Sequence, residues 1–140
     1  MADDNKALVR EWLQAVDTGD VGVLDKYLDA GFVDHNPPPF QGPNSGVQGA
    51  KDAFNYALGA FSNFRHEVEE QFVDGDRVIS RITGYGTHSG EFLGIPPTGK
   101  EVRMEGIAIH RVVNGQMVEH WAQVDAAGLL MQLGAMPAPG

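Results

Sequence analysis

The residues best suited to chemistry lie in one predicted hairpin, residues 102–125. Its two alternating strands meet at Asn114-Gly115, a pair that favours a two-residue turn because both positions tolerate positive φ. Such a loop would set the cross-strand pairs on one face as His110 with Glu119, Ala108 with Trp121, Gly106 with Gln123 and Met104 with Asp125. Carboxylates and imidazoles on a single face can transfer protons, so this face is a candidate site.

The small residues of that face favour a cavity. Gly106 and Ala108 would lie near the large Trp121 and Gln123, which leaves room for a ligand above the sheet. A tryptophan among small residues can equally be ordinary core. The opposite face is predicted as a packing surface that carries Ile107, Ile109, Val118, Ala122 and Val124, with Glu105, Arg111 and His120 among them.

Apolar spacing and turn residues predict the helices and strands that surround this hairpin. We predict helices over 5–17, 21–28, 47–61 and 126–133 and strands over 32–35, 66–73 and 77–88, with a Pro- and Gly-rich loop at 37–46. Asp74-Gly75 should join two strands, and residues 135–140 should form a disordered tail. Helices followed by antiparallel strands predict one α+β domain over 1–140, with a curved, mostly antiparallel sheet wrapped around the N-terminal helices.

Composition narrows the class of partner. The chain of 140 residues has no cysteine, so disulfides and thiolate chemistry are excluded. Its formal net charge is −9. Nucleic acids and anionic membranes are unexpected partners because they require clustered Lys and Arg. No apolar run approaches a membrane span, and the acidic N-terminus lacks a signal-peptide pattern, so a cytoplasmic location is expected.

Several motifs resemble one family. The segments Gly86-Thr87-His88-Ser89-Gly90-Glu91-Phe92, Gly94-Ile95-Pro96-Pro97-Thr98-Gly99-Lys100 and Glu119-His120-Trp121 with Asp125, together with Asp34-His35 and the terminal Gln-Leu-Gly, resemble the SnoaL-like polyketide cyclases of the NTF2-like superfamily. The resemblance implies a cone-shaped α+β fold around an elongated apolar pocket and a small hydrophobic substrate. It also implies no metal, no organic cofactor, and a homodimer or tetramer formed through the outer sheet face.

In that family an aspartate at the position of Asp125 is expected to be the acid and base of an intramolecular aldol closure. An aspartate in water has a pKa near ~3.9, so a useful base needs burial beside groups such as Met104 and Trp121. Asp125 also suits the N-cap of the helix that begins at Ala126. Both interpretations stay open at the level of sequence.

The other candidates are histidines and polar donors. His35 and His110 are predicted to assist Asp125, although His110 and Glu119 could simply bond each other, whereas His66 and His120 fall on less promising faces. The predicted substrate-binding residues are Asn36, Tyr85, His88, Met104, Glu119, Trp121 and Gln123. Arg81 could bind a substrate oxygen or anchor an acidic neighbour.

Two motif matches are set aside. The segment 94–100 has P-loop spacing, but Glu101 replaces the required Ser or Thr and two prolines stiffen the loop. The five histidines show no metal-ligand spacing. The leading hypothesis is therefore a cofactor-independent cyclase, and the alternatives are a pericyclic cyclase or isomerase of a polyene, an epoxide hydrolase, and a non-catalytic small-molecule-binding dimer.

Overall fold

A computed structural model describes residues 2–137. Its elements are α1 (Ala2–Asp17), a 3-10 turn (Val21–Val23), α2 (Leu24–Tyr27), β1 (Leu28–Asp34), α3 (Gly46–Ala60), β2 (Phe61–Asp74), β3 (Arg77–His88), β4 (Glu101–Val113), β5 (Gln116–Val124) and α4 (Ala126–Gln132). The predicted helices and strands are all present. The strand predicted over 32–35 is longer and ends at Asp34, and β2 begins five residues before its predicted start.

The five strands form one curved, unclosed sheet in the order β1-β5-β4-β3-β2. The four strands from β2 to β5 pair antiparallel, and β1 pairs parallel to β5. This confirms the expected α+β class and its mostly antiparallel sheet. The parallel edge strand matters for the site because it places Asp34 beside His120.

The helices pack on the concave face of the sheet through their apolar stripes. On α1, which packs mainly on β2, the residues Val9, Trp12, Leu13 and Val16 recur at helical spacing and are buried in one cluster with Val78 of β3, Val112 of β4 and Met117 of β5. A second buried cluster joins α4 to the sheet through Leu129 and Leu133. Each cluster closes one part of the space between helices and sheet, and this arrangement leaves the interior between them unfilled by core side chains.

The hairpin turn is as predicted, but the register beyond it is not. Val113 pairs with Gln116 across Asn114 and Gly115, which both have positive φ. Between Arg111 and Val112 the register shifts by one residue, because Val118 is an extra residue on β5. Side chains alternate along a strand, so this bulge turns the rest of β5 over relative to the prediction.

The consequence is a correction of every cross-strand pair beyond the bulge. His110 pairs with His120 rather than Glu119, and Ala108 pairs with Ala122 rather than Trp121. The cavity-facing assignment of β4 is confirmed, since His110 and Ala108 are buried on the concave face. The assignment of β5 was wrong for Glu119 and Trp121, which belong to the convex side, whereas His120, Ala122 and Val124 line the cavity. Gln123, predicted on the cavity side, does line the cavity.

The other predicted turns fall within one or two residues of their expected places. The loop between β2 and β3 is Gly75 and Asp76, since Asp74 still pairs with Arg77.

Gly86 of β3 has no room for a side chain, because an added Cβ would come within 2.8 Å of the Cβ of Phe61. Part of the predicted disordered tail, residues 138–140, lies outside the described residues.

Candidate functional site

A cavity of about 580 Å³ lies between the helices and the concave face of the sheet. Most of its lining is aliphatic or aromatic, contributed by α1, α3, α4, all five strands and the loop of Pro37 to Gln41. Ala108 and Ala122 pair across β4 and β5 in the cavity wall. Because both side chains are small, the cavity has open volume above this part of the sheet. A large apolar cavity with few polar groups is the typical form of a small-molecule site.

Four polar side chains of the cavity wall form a continuous row. The Nδ1 atom of His120 hydrogen-bonds to Oδ1 of Asp34 at 2.9 Å. The ring of His120 lies 4.7 Å from that of His110, and the ring of His110 lies 5.1 Å from that of Trp12. All four side chains line the cavity, so acidic, basic and donor groups meet at one place on an apolar wall.

The hydrogen bond between Asp34 and His120 keeps the aspartate ionised and orients the imidazole ring. Burial raises the pKa of Asp34, but hydrogen bonds from the His120 ring and the Asn36 backbone outweigh it, so this pKa lies below its ordinary value of 3.8. Because an ionised carboxylate only accepts, Nδ1 of His120 carries the hydrogen. The other ring nitrogen, Nε2, is therefore an acceptor when the imidazole is neutral.

His110 and Trp12 place unpaired polar atoms on the same wall. Burial lowers the pKa of His110 well below its ordinary value of 6.5, with a smaller contribution from nearby His120, so the ring is neutral. Neither of its nitrogens has a hydrogen-bond partner, and the same holds for Nε1 of Trp12. Buried polar atoms without partners are costly, and at a cavity wall they can be satisfied by a ligand.

Asp125, the predicted acid and base, lies at the junction of β5 and α4. Its carboxylate accepts a hydrogen bond from the Gly128 backbone at 2.8 Å and caps α4, which is the structural alternative raised from the sequence. The side chain is exposed, and the cavity lining includes its neighbours Val124 and Ala126 but not Asp125. The expected burial beside Trp121 is absent, because Trp121 faces the convex side.

Three other predicted site residues meet on the convex face. His35 stacks on Trp121 with ring centroids 4.6 Å apart, and its Nε2 lies 3.3 Å from Glu119. Glu119 also accepts a 2.6 Å hydrogen bond from Arg111, and this bond lowers the pKa of Glu119. None of His35, Glu119 and Trp121 lines the cavity. The sequence placed Glu119 and Trp121 on the cavity side and did not predict that His35 contacts them.

The remaining predicted binding residues divide by position. Asn36, Met104 and Gln123 line the cavity, and the Asn36 amide oxygen accepts a bond from the Ala122 backbone. Tyr85 borders the cavity, but its hydroxyl is directed to Glu67, 3.4 Å away. His88 is fully buried outside the lining, where its Nδ1 contacts Thr98 and anchors the loop before β4.

Sequence reasoning missed Trp12, His66 and His120 as cavity residues and left Asp34 without a role. Trp12 belongs to the apolar stripe of α1, where an aromatic residue is normally interpreted as part of the core. His66 and His120 were placed on less promising faces, yet both line the cavity. For Asp34 and His120 the signal was present in the sequence, in the motifs Asp34-His35 and Glu119-His120-Trp121.

None of the helices within residues 2–137 combines the length and the apolar composition needed to cross a membrane. Over the same range, no group of three or more His, Asp or Glu side chains is arranged to hold a metal ion.

Fold and cavity together define an α+β protein in which a large apolar cavity lies beside an aspartate and two histidines. The sequence profile of the SnoaL-like polyketide cyclases matches residues 6–133, so the chain belongs to this family. It is 33% identical over 133 residues to the aklanonic acid methyl ester cyclase DauD of Streptomyces sp. (strain C5), covering 91% of this chain and 80% of that protein. The corresponding cyclase DnrD of Streptomyces peucetius is 32% identical, with 91% and 88% of the two chains covered.

Solved structures agree with the family assignment. The crystal structure of AclR from Streptomyces galilaeus, described as a proposed hydroxylase, superposes with a TM-score of 0.87 at 30% identity and covers 100% of this chain and 87% of that one. The NTF2-like fold expected from the motifs is thereby confirmed. The chain is an enzyme of the SnoaL-like cyclase type, a polyketide cyclase.

Proposed function

We propose that this enzyme closes a ring in a hydrophobic aromatic polyketide by an intramolecular aldol reaction, without a cofactor. The observation that carries the proposal is the Asp34–His120 pair on the wall of a large apolar cavity, next to the unpaired donors of His110 and Trp12. An aldol closure needs a base for a carbon acid, hydrogen bonds to an enolate oxygen, and an acid for the new alkoxide. These four side chains supply all three.

In the proposed reaction Nε2 of His120 removes a proton from a carbon flanked by carbonyl groups. Asp34 holds the imidazole in the tautomer that makes Nε2 basic, and it stabilises the imidazolium that forms. The Nε1–H of Trp12 and one nitrogen of neutral His110 donate to the enolate oxygen. The enolate carbon then attacks the second carbonyl, and the alkoxide takes the proton back from Nε2, so no proton is gained or lost overall.

The cavity supports an aromatic polyketide as the occupant. Its volume of about 580 Å³ lies in the range of sites for drug-sized molecules, and phenylalanines from α3, β1 and β2 contribute flat apolar surface. Two relatives are cyclases of aklanonic acid methyl ester by name, and a related anthraquinone-type ester with a ketone side chain is the substrate class that we propose here.

The test compares turnover of aklanonic acid methyl ester by the wild type and single variants. His120→Gln and Asp34→Asn should each lower kcat by a factor of about 10² to 10⁴, the usual contribution of general acid–base catalysis. His35→Gln is the matched substitution on the convex face and should change kcat by less than about threefold. Circular dichroism checks that each variant is folded.

The expectation that Asp125 is the acid and base remains a competing proposal. If Asp125→Asn abolishes turnover while His120→Gln retains it, the reaction uses the helix cap and not the cavity pair. If neither substitution lowers turnover, a ring closure that needs only substrate folding, such as a pericyclic reaction, replaces the aldol mechanism. Saturable ligand binding without turnover of any ester tested would favour the non-catalytic binding module.

We also propose that two copies associate through the convex face. Cross-strand pairing aligns Phe72, Ile79, Ile109 and Trp121 in one row across β2 to β5 on that face. Phe72 is 61% exposed on this face. A contiguous apolar strip on a sheet is typical of an interface between subunits.

A further inference from the structure

A second histidine–aspartate pair borders the cavity on the side of β2. Nδ1 of His66 lies 2.7 Å from Oδ1 of Asp17, at the end of α1, and the His66 backbone N–H donates to Oδ2 of the same carboxylate at 2.7 Å. Both side chains are largely buried, with 16% and 15% of their surfaces exposed. Two hydrogen bonds from one residue to one carboxylate fix the orientation of the His66 ring.

The space beside this ring is shaped by aromatic residues and a glycine. Phe64 stands edge-on to His66 at 4.9 Å, and Phe54 does so at 6.5 Å. Gly84 pairs with His66 on the neighbouring strand, and a Cβ added there would lie 3.9 Å from Nε2. Because Gly84 has no side chain and both residues line the cavity, the Nε2 side of the ring has open volume.

This pair lies apart from Asp34 and His120. The shortest path of ring contacts between His66 and His120 runs through Phe54, Trp12 and His110, in four steps of 4.7 to 6.5 Å. Along β3, the row of His66 and the row of His110 are six residues apart, roughly 20 Å at the rise of an extended strand. The apolar cavity therefore has hydrogen-bonding side chains at two separate places.

We propose that His66 forms a second polar subsite, which binds a phenolic hydroxyl at the far end of an elongated aromatic ligand. A carboxylate only accepts, so the contact with Asp17 places a hydrogen on Nδ1 of His66, and Nε2 is an acceptor whenever the imidazole is uncharged. An acceptor in an aromatic setting suits an O–H donor on a planar ring. The subsite rests on the proposed function only in taking an aromatic polyketide as the occupant.

The alternative is that Asp17 and His66 only tie α1 to β2. His66 also borders a smaller hollow of about 310 Å³ between these two elements, where Arg10, Gln14 and Glu67 contribute to the wall. A structural tie would support the cavity as a whole and would affect every ligand equally. A hydroxyl subsite makes a different prediction, because its loss matters only for ligands that carry the second hydroxyl.

The experiment measures two dissociation constants by isothermal titration calorimetry at pH 7, where the hydroxyls of the probes are still protonated. The probes are anthraflavic acid, an anthraquinone with one hydroxyl at each end, and the anthraquinone that retains only one of these hydroxyls. We expect the wild type to bind the first about tenfold more tightly than the second, the effect of one good hydrogen bond together with a statistical factor. In His66→Phe this preference should fall to about twofold, the statistical factor alone, for a ligand with two equivalent ends.

Gly84→Val provides an independent variant that leaves Asp17 and His66 in place but fills the space beside Nε2. It should reduce the preference to the same extent, and a thermal melt reports whether either variant is destabilised. Equal affinities for the two probes in the wild type, or an unchanged tenfold preference in His66→Phe, would overturn the subsite. The measurement needs no turnover, so a failure of the cyclase mechanism leaves this result readable.

Discussion

The buried ring of His110 makes the stability of this protein depend on pH, and His110→Leu should remove that dependence. The ring is 1% exposed, and both nitrogens lack partners. Burial lowers the pKa of His110 well below 6.5, so the folded protein keeps the ring neutral where an unfolded chain would protonate it. Leucine has a similar volume and no polar atom.

The sign follows from proton counting. Above pH 6.5 the ring is neutral in both states, and its titration contributes nothing to the pH dependence. Below pH 6.5 His110 is protonated in the unfolded chain but stays neutral in the folded protein, so the free energy of unfolding decreases as the pH falls. The slope for one such group approaches about 1.4 kcal/mol per pH unit until the pH reaches the pKa of the folded state.

Removing the ring also removes two unsatisfied atoms. Each unpaired buried polar atom costs about 1–3 kcal/mol, so His110→Leu should be more stable than the wild type even at pH 8. The stabilised variant should nevertheless lose turnover if His110 donates to the enolate. Stability gained together with activity lost is the expected behaviour of a polar group that is kept for a ligand.

Urea unfolding followed by circular dichroism at several pH values between 8 and 5 measures both effects. This window lies above the range in which Asp34 titrates, so the difference between the two proteins isolates His110. Parallel curves for the wild type and His110→Leu would refute the reasoning, since they would show that the folded protein protonates His110 as readily as the unfolded chain. A less stable variant at pH 8 would show that the ring nitrogens are satisfied, for instance by water.

Three further predictions concern packing, cavity volume and assembly. Gly86→Ala should destabilise the fold by about 1–3 kcal/mol in urea unfolding, because its Cβ would come within 2.8 Å of Phe61; unchanged stability would show that β2 moves aside without cost. Ala108→Phe should fill the cavity and weaken binding of anthraquinones at least tenfold by calorimetry, whereas wild-type affinity would place the ligand elsewhere. Phe72→Glu should convert a dimer to a monomer in light scattering, and a wild type that is already monomeric would contradict the proposed interface.

The helices, the strands and the fold class follow from local patterns in the amino-acid sequence. The apolar stripe of α1, the Asn114-Gly115 turn and the period-two pattern of β4 are local signals, and each is confirmed by the structure. They are reliable because helix spacing, turn conformation and strand alternation depend on neighbouring residues alone. The motifs that resemble the SnoaL-like cyclases supplied the family, and the family profile confirms it.

Which side chains face the cavity depends on contacts between elements that are distant in the sequence. A single extra residue, Val118, exchanged the two faces of β5, so His120 replaced Glu119 and Trp121 on the inner wall. The bulge leaves Glu119 outside, where it pairs with Arg111; without it, the carboxylate would face the interior beside Trp12 and His110. Burying an unpaired charge costs far more than disturbing one ladder position, which is a physical reason for the bulge.

The pairs that form the site could not be read from the sequence for the same reason. Asp34 and His120 are 86 residues apart and meet only because β1 joins the sheet edge parallel to β5. Asp17 and His66 meet only because α1 packs across β2. Alternation along a strand fixes which residues share a face, but the register between distant strands depends on the burial and charge balance of the whole domain.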